Sequence, residues 1–307
     1  MISDSIVFVI KKFLTASKKK YLQLSAGKPE NFLRVRRGFE KLTTKFNLKN
    51  ADFDYKAIHI DGLEVELISP KGKHLSSVLV YFPGGGYHFG SIKSARAIAT
   101  LLSSQSGTSA LVVDYRKSPE FKYPAPIEDA AKAYEYLRHE MKIPPENICF
   151  AGDSAGGGVA VGSLLYLRDH NIPLPSCAVL ISPWVDHTGT SSSFLSKDEV
   201  DPMLPGSRMH LYSKSYLGDA PLDSIYASPI FHNLHGLPPM KIQVGDDEVL
   251  RDDSVHLAAR AKQDGVSIEL EIFPKHFHVF NLFFKVLPSA RKANLAMADF
   301  IKRHIKR

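Results

Sequence analysis

The stretch Gly152-Asp153-Ser154-Ala155-Gly156 limits the possible folds more than any other part of the chain. It follows an apolar run at residues 148–151 that predicts a buried strand, and it opens a helix predicted over residues 156–170. A serine at such a strand-to-helix turn has a strained backbone, and the two glycines permit the turn and close packing of the helix. The pattern predicts that Ser154 is a nucleophile and that the N–H of Ala155 points toward the same spot. The alternative is an incidental serine in a glycine-rich turn.

Around this turn, predicted strands and helices alternate along the chain. The strands are predicted over residues 58–60, 65–68, 77–82, 109–114, 148–151, 177–181, 240–244 and 268–273, and the helices over residues 94–105, 126–141, 156–170, 253–263 and 288–305. This alternation favours an α/β fold with a mostly parallel central sheet, and Asp61-Gly62 predicts an antiparallel hairpin at one edge. We predict an N-terminal cap segment at residues 1–50 and a catalytic domain at residues 51–307. The irregular stretch 185–225 is predicted to complete a helical cap over the carboxyl edge of the sheet.

A second glycine-rich loop, Pro83-Gly84-Gly85-Gly86-Tyr87, follows the buried strand predicted over residues 77–82. Consecutive glycines leave backbone N–H groups free to point into a cleft, as acyl transfer requires where a carbonyl oxygen becomes negative. A flexible turn and a phosphate loop are the alternatives; for the phosphate loop, no P-loop lysine follows and the pattern G-x-G-x-x-G is absent. The two motifs lie 70 residues apart and are independent, so together they favour acyl transfer. Asp153, beside the nucleophile, is interpreted as a carboxylate that organises the loop.

From about residue 75 to its C-terminus, the chain resembles the hormone-sensitive-lipase-like esterases of the α/β-hydrolase superfamily. Besides the two glycine motifs, the resemblance rests on Gly90-Ser91, Asp114-Tyr115-Arg116-Lys117-Ser118-Pro119-Glu120, Tyr123-Pro124-Ala125-Pro126-Ile127-Glu128-Asp129, Gly156-Gly157, Ser182-Pro183-Trp184-Val185-Asp186 and Ala227-Ser228-Pro229. It implies the α/β-hydrolase fold, a Ser–acid–His triad, no cofactor, no metal, and hydrolysis of short acyl esters. The oxyanion-hole amides of the family correspond to Gly85, Gly86 and Ala155. Where this chain has Pro83 the family usually has histidine, so we expect an altered loop that keeps activity.

The general base is expected in the loop after the last strand, where His276 and His278 both occur. The family places its histidine before a small or β-branched residue and then an aromatic one, which favours His278. The acid is expected after the strand at 240–244, where Asp247 and Glu248 both occur. Alignment with the Asp-Pro-Leu-Arg-Asp segment of the family places Glu248 at the acid position, and Asp247 is the alternative.

Composition indicates the compartment and the kind of partner. The chain of 307 residues has two cysteines, Cys149 and Cys177, both in predicted buried strands, so we expect reduced thiols and a cytoplasmic location. Its net charge of +7 is concentrated in residues 1–50, which hold 12 Lys and Arg against three acidic residues. These cations belong to no recognisable binding module, so nucleic acid is not expected as a partner. A small-molecule ester is expected.

The apolar run at residues 5–10, followed by Lys11 and Lys12, predicts an amphipathic helix that is too short to span a bilayer. A solvated face, a peripheral membrane contact and a cover for the active site are the alternatives. The sequence leaves the oligomeric state open and allows a homodimer.

Together these features predict a serine carboxylesterase for short- to medium-chain acyl esters, acting through Ser154, Glu248 and His278. One alternative is an inactive small-ligand receptor on the same fold, and the presence of nucleophile, base and acid argues against it. A deacetylase, an acyltransferase and an interfacial lipase would use the same triad, so the sequence does not separate them from an esterase.

Overall fold

The computed structural model describes residues 2–24, 29–44 and 49–306, with side chains described for residues 5–18, 32–41 and 49–306. Within them lies an eight-stranded sheet of β1 (Phe53–Ile60), β2 (Leu63–Pro70), β3 (Val78–Phe82), β4 (Ser109–Val113), β5 (Ile148–Asp153), β6 (Cys177–Ile181), β7 (Met240–Gly245) and β8 (Ile268–Phe273). The spatial order is β1-β2-β4-β3-β5-β6-β7-β8. The pairs β1–β2 and β2–β4 are antiparallel and the other pairs are parallel, which confirms the predicted mostly parallel sheet.

The predicted hairpin joins β1 to β2 at the edge of the sheet, with Ile60 paired to Leu63 across the turn. Asp61 and Gly62 adopt φ angles of 44° and 82°. Two consecutive positive φ angles give a turn whose twist matches the twist of the strands, and this is why Asp-Gly forms two-residue hairpins.

Helices cover both faces of the sheet. The helices are α1 (Ile2–Leu24), α2 (Pro29–Thr44), α3 (Ile92–Ser106), α4 (Ala125–His139), α5 (Ala155–Asp169), α6 (Ser193–Ser196), α7 (Met209–Leu217), α8 (Arg251–Gln263) and α9 (Pro288–His304). The pair α3 and α9 packs on one face, and α4, α5 and α8 pack on the other. The five helices predicted for the catalytic domain are all present, and so is the N-terminal helix predicted from the apolar run at residues 5–10.

Side chains of the central strands alternate between two hydrophobic cores. In β3, Val80 and Phe82 point into the core beneath α4 and α5, whereas Leu79 and Tyr81 point into the core beneath α3 and α9. Because both faces are buried, such a strand appears in the sequence as a continuous apolar run. Both cysteines are free and buried, as predicted.

The N-terminal helices and the 185–225 insertion lie beside the loops that leave the carboxyl edge. On α1, Val7 is buried against Phe277 and Phe280 in the loop after β8. On α2, Phe32 stacks on His88 beside the glycine loop, with ring centroids 4.2 Å apart. The division into a cap and a catalytic domain stays a prediction. No helix within the described ranges combines the length and the apolar character that a membrane crossing needs.

Candidate active site

Ser154 lies between β5 and α5 in a backbone conformation that few residues adopt. Its φ and ψ angles are 54° and −123°, a conformation that costs on the order of 1–3 kcal/mol. Hydrogen bonds hold it there: its N–H donates to the Ile181 carbonyl at 2.8 Å, and its carbonyl accepts from the Trp184 N–H at 3.0 Å. A Cβ on Gly152 would clash with the Gly156 carbonyl oxygen. The predicted reason for the two glycines therefore matches the contacts at this turn.

The loop after β8 brings a histidine to this serine. His278 Nε2 lies 2.9 Å from Ser154 Oγ, across 124 residues of sequence. Phe277 and Phe280 on either side are fully buried, and they anchor the loop. His276 turns elsewhere, since its ring nitrogens lie 2.8 Å from the Pro274 carbonyl oxygen and 2.7 Å from Ser289 Oγ.

The loop after β7 supplies a carboxylate on the other side of the imidazole. Glu248 Oε1 lies 3.4 Å from His278 Nδ1, and the Glu248 side chain is fully buried. Its Oε2 accepts hydrogen bonds from Ser182 Oγ at 2.9 Å and from the Gly245 N–H at 3.2 Å. Asp247 points outward and pairs with Lys11 Nζ at 2.6 Å. The structure thus brings Glu248, rather than Asp247, to the histidine.

Charge around the imidazole favours its protonated form. Burial disfavours the imidazolium, but the carboxylates of Glu248, Asp201 and Asp153 outweigh burial and raise the pKa of His278 above its ordinary value of 6.5. For Glu248, burial is the largest effect and raises the pKa, against the opposing influence of His278. A carboxylate beside the imidazole stabilises the positive charge that the ring acquires when it takes a proton.

A buried carboxylate connects the glycine loop to the turn at Ser154. Asp153 Oδ1 accepts from the Gly84 N–H at 3.0 Å and from Tyr81 Oη at 2.8 Å. This geometry matches the interpretation of Asp153 as an organiser of the loop. In the described part of the chain, no hydrogen bond uses the N–H of Gly85 or of Gly86. These two donors are free for a ligand, as is the N–H of Ala155 in the first turn of α5.

Comparison with known proteins identifies the family. Residues 79–282 match the family described as the alpha/beta hydrolase fold, which is more than half of the chain. The chain belongs to the α/β-hydrolase family. The predicted α/β-hydrolase fold is therefore confirmed.

Relatives within the α/β-hydrolase family match most of this chain. An acetyl-hydrolase from Streptomyces hygroscopicus is 38% identical over 224 residues, which are 73% of this chain and 75% of the relative. An esterase from Acinetobacter venetianus is 31% identical, over 82% of this chain and 83% of the relative. The crystal structure of EstE5 soaked with p-nitrophenyl butyrate has a TM-score of 0.88 and 36% identity, and covers 97% of this chain and 98% of that one.

A bacterial esterase of the hormone-sensitive lipase family also superposes with a TM-score of 0.88, at 31% identity, over 96% of this chain and 98% of that one. The predicted resemblance to this branch of the α/β-hydrolases is confirmed.

Two residues of this α/β-hydrolase site were not predicted from the sequence. Ser182 donates to Glu248, and its Oγ accepts from the Val279 N–H at 3.3 Å, so it connects the acid loop to the histidine loop. The sequence signal that could have predicted Ser182 is its place as a polar residue directly after the buried run 177–181. Asp201 lies in the irregular insertion, and no feature of the sequence distinguishes it from neighbouring polar residues.

Proposed function

We propose that the protein is a serine carboxylesterase in which Ser154 is the nucleophile, His278 the general base and Glu248 the acid. By enzyme class, the chain is a carboxylic ester hydrolase, like its esterase and acetyl-hydrolase relatives. The observation that carries the proposal is the arrangement of the imidazole, with Nε2 at 2.9 Å from Ser154 Oγ and Nδ1 beside Glu248. Nucleophile, base and orienting carboxylate in this order are what acyl transfer requires.

In the first step, Ser154 Oγ attacks the ester carbonyl carbon and its proton passes to His278 Nε2. The new C–O bond gives a tetrahedral intermediate whose oxygen is negative. The N–H groups of Gly85, Gly86 and Ala155 are proposed to stabilise this oxyanion, and their lack of other partners supports that role. The intermediate collapses when the bond to the alkoxy oxygen breaks and His278 gives its proton to the departing alcohol.

In the second step, water replaces the alcohol. His278 takes a proton from the water as its oxygen attacks the acyl-enzyme carbonyl, and the proton then returns to Ser154 Oγ as the acid leaves. Glu248 keeps Nδ1 protonated and stabilises the imidazolium in both steps. The receptor alternative requires a missing base, whereas His278 lies within hydrogen-bond distance of the nucleophile.

The proposed substrates are short- to medium-chain acyl esters. The acetyl-hydrolase relative and the EstE5 structure soaked with p-nitrophenyl butyrate support this size. The test is hydrolysis of p-nitrophenyl esters from acetate to palmitate by the natural chain and by Ser154→Ala. We expect activity on acetate and butyrate that Ser154→Ala abolishes. Activity confined to N-acetyl amides would support the deacetylase alternative, and no activity from folded protein would exclude the proposal.

Peripheral membrane contact through α1 is a second proposal, supported by the outward face of this helix. Phe8, Val9 and Phe13 are 58%, 65% and 66% exposed, and Lys12 lies over the Phe8 ring. Exposed apolar side chains beside cations suit an anionic lipid surface. Sedimentation with anionic and zwitterionic vesicles tests it, with Phe13→Ser as the variant and Leu222→Ser, exposed elsewhere, as the control. Equal recovery of natural chain and Phe13→Ser in the pellet would count against contact through this face.

A homodimer and a cytoplasmic location are also retained as proposals. Strand β8 pairs with β7 and forms an edge of the sheet, where an unpaired strand can meet another chain. Light scattering across a range of concentrations measures the oligomeric state. The two free, buried cysteines support a reducing compartment, and cell fractionation tests it.

A further inference from the structure

Asp201 of the insertion joins that segment to the acid loop. On the basis of the proposed triad, we infer that Asp201 is a positioning residue that holds the Glu248 loop in place beside His278. Nothing in the mechanism above uses this residue. The inference follows from three sets of contacts, made by its carboxylate, by a neighbouring serine and by its backbone.

The carboxylate of Asp201 is almost completely buried, with 1% exposure, and both oxygens accept hydrogen bonds. Oδ1 accepts from the N–H groups of Met203 and Leu204 at 2.7 and 2.9 Å, and these bonds fix its own loop. Oδ2 accepts from the Val249 N–H at 2.9 Å, across 48 residues of sequence. Val249 directly follows Glu248, so this bond fixes the backbone at the proposed acid.

A second side chain of the insertion holds the other backbone group of the same residue. Ser193 Oγ donates to the Val249 carbonyl at 2.6 Å, and Ser193 is itself buried. Gly206 packs close enough that a Cβ there would lie 3.2 Å from Val249 Cγ1. The insertion therefore contacts the N–H, the carbonyl and the side chain of Val249. These contacts fix the direction in which the preceding residue, Glu248, points.

Burial raises the pKa of the Asp201 carboxyl, against the opposing effects of His278 and of the N–H groups that it accepts from; when ionised, it also favours the imidazolium. The ionisable groups around His278 are Glu248 on the acid loop, Asp201 on the insertion and Asp153 at the nucleophile turn, and all three favour the imidazolium. From α1, Lys18 Nζ donates to the Asp201 carbonyl oxygen at 3.0 Å and pairs with the Asp198 carboxylate at 3.3 Å. Lys18 thus fixes the Asp201 backbone, while the Asp201 carboxylate accepts from three backbone N–H groups instead.

The pH dependence of kcat/KM separates this role from a purely structural one. In Asp201→Asn we expect kcat to fall on the order of tenfold, because the acid loop shifts. The acid limb of the profile should move to lower pH by about half a unit, because His278 loses a stabilising negative charge. Ser193→Ala removes the hydrogen bond to the Val249 carbonyl without changing any charge. In this variant kcat should fall, while the acid limb of the pH profile should keep its position. Glu199→Gln removes a charge from an exposed position of the same segment and should change neither kcat nor the acid limb.

A kcat for Asp201→Asn equal to that of the natural chain would overturn the inference, and an acid limb at the natural position would show that the Asp201 charge does not act on His278. If Asp201→Asn does not fold by circular dichroism, Asp201→Ser tests the same loss of the carboxylate with a smaller side chain. Labelling of Ser154 by a fluorophosphonate separates this failure from that of the triad. No labelling of the natural chain would refute the proposed function, whereas normal labelling of the natural chain with an unchanged kcat in Asp201→Asn would refute only the role of Asp201.

Discussion

Lys11 Nζ lies 2.6 Å from Asp247 Oδ2, so Asp247 faces α1 and not His278. The next residue, Glu248, faces inward and is fully buried beside the imidazole. Two adjacent carboxylates therefore have opposite environments, one partly exposed against the N-terminal helix and one inside the site. Neutral substitutions at Asp247 and Glu248 therefore form a matched pair for testing which carboxylate acts on His278.

Glu248→Gln should lower kcat for p-nitrophenyl acetate by about 10³-fold or more, because a neutral amide neither orients Nδ1–H correctly nor stabilises the imidazolium. Asp247→Asn should change kcat by less than about fivefold, since a partly exposed ion pair contributes under about 1 kcal/mol. Steady-state kinetics on both variants measure the difference. A larger loss in Asp247→Asn than in Glu248→Gln would reverse the assignment of the acid.

The pH profile should report His278. The base must be neutral to accept a proton, and the neighbouring carboxylates raise its pKa above 6.5. Activity is therefore expected to be full at higher pH and to fall as pH decreases through a midpoint above 6.5. Measurement of kcat/KM from pH 5 to pH 9 locates that midpoint. A midpoint at or below 6.5 would contradict the charge arrangement described here.

Gly84→Ala should reduce activity through the connection between the glycine loop and Asp153. An added Cβ would lie 2.7 Å from the Asp153 carbonyl oxygen and would clash with Oδ2, so the loop must shift. Loss of one oxyanion donor costs about 10²- to 10³-fold in kcat, and we expect a loss approaching that range. Gly38→Ala, in α2 with open space around it, is the control. Unchanged kcat in Gly84→Ala would show that the loop position does not limit the reaction.

The packing of α1 should contribute both stability and activity. Val7 is 5% exposed and packs in the cluster that contains Phe277, the residue before His278, whereas Val9 on the same helix is 65% exposed. Val7→Ser should lower the free energy of unfolding by about 1–3 kcal/mol and reduce kcat, because a buried hydroxyl replaces two methyl groups. Val9→Ser should change neither. Denaturant unfolding and ester hydrolysis are measured on both variants. Equal changes in Val7→Ser and Val9→Ser would mean that α1 does not pack on the histidine loop.

Local patterns in the sequence were sufficient to predict much of this fold. Continuous apolar runs predicted the buried strands, and Asp61-Gly62 predicted the hairpin, because these features depend on neighbouring residues only. The turn at Ser154 was recognisable for the same reason, since a strained strand-to-helix turn needs glycines at fixed positions nearby.

The choice between adjacent candidates needed the tertiary structure. Asp247 and Glu248 are both acidic, and His276 and His278 both follow β8, so local chemistry does not distinguish the members of either pair. Asp247 pairs with Lys11, 236 residues away in sequence, and His276 lies against Ser289.

The sequence by itself determined the sheet, the strand-to-helix turn at Ser154 and the small set of residues from which a site could be built. Only the tertiary structure decided which carboxylate faces His278, that Ser182 supports it, and that Asp201 holds the next residue in place. The physical reason is that hydrogen bonds and ion pairs between distant segments depend on the three-dimensional packing of buried groups. Such packing leaves no periodicity or local motif in the chain.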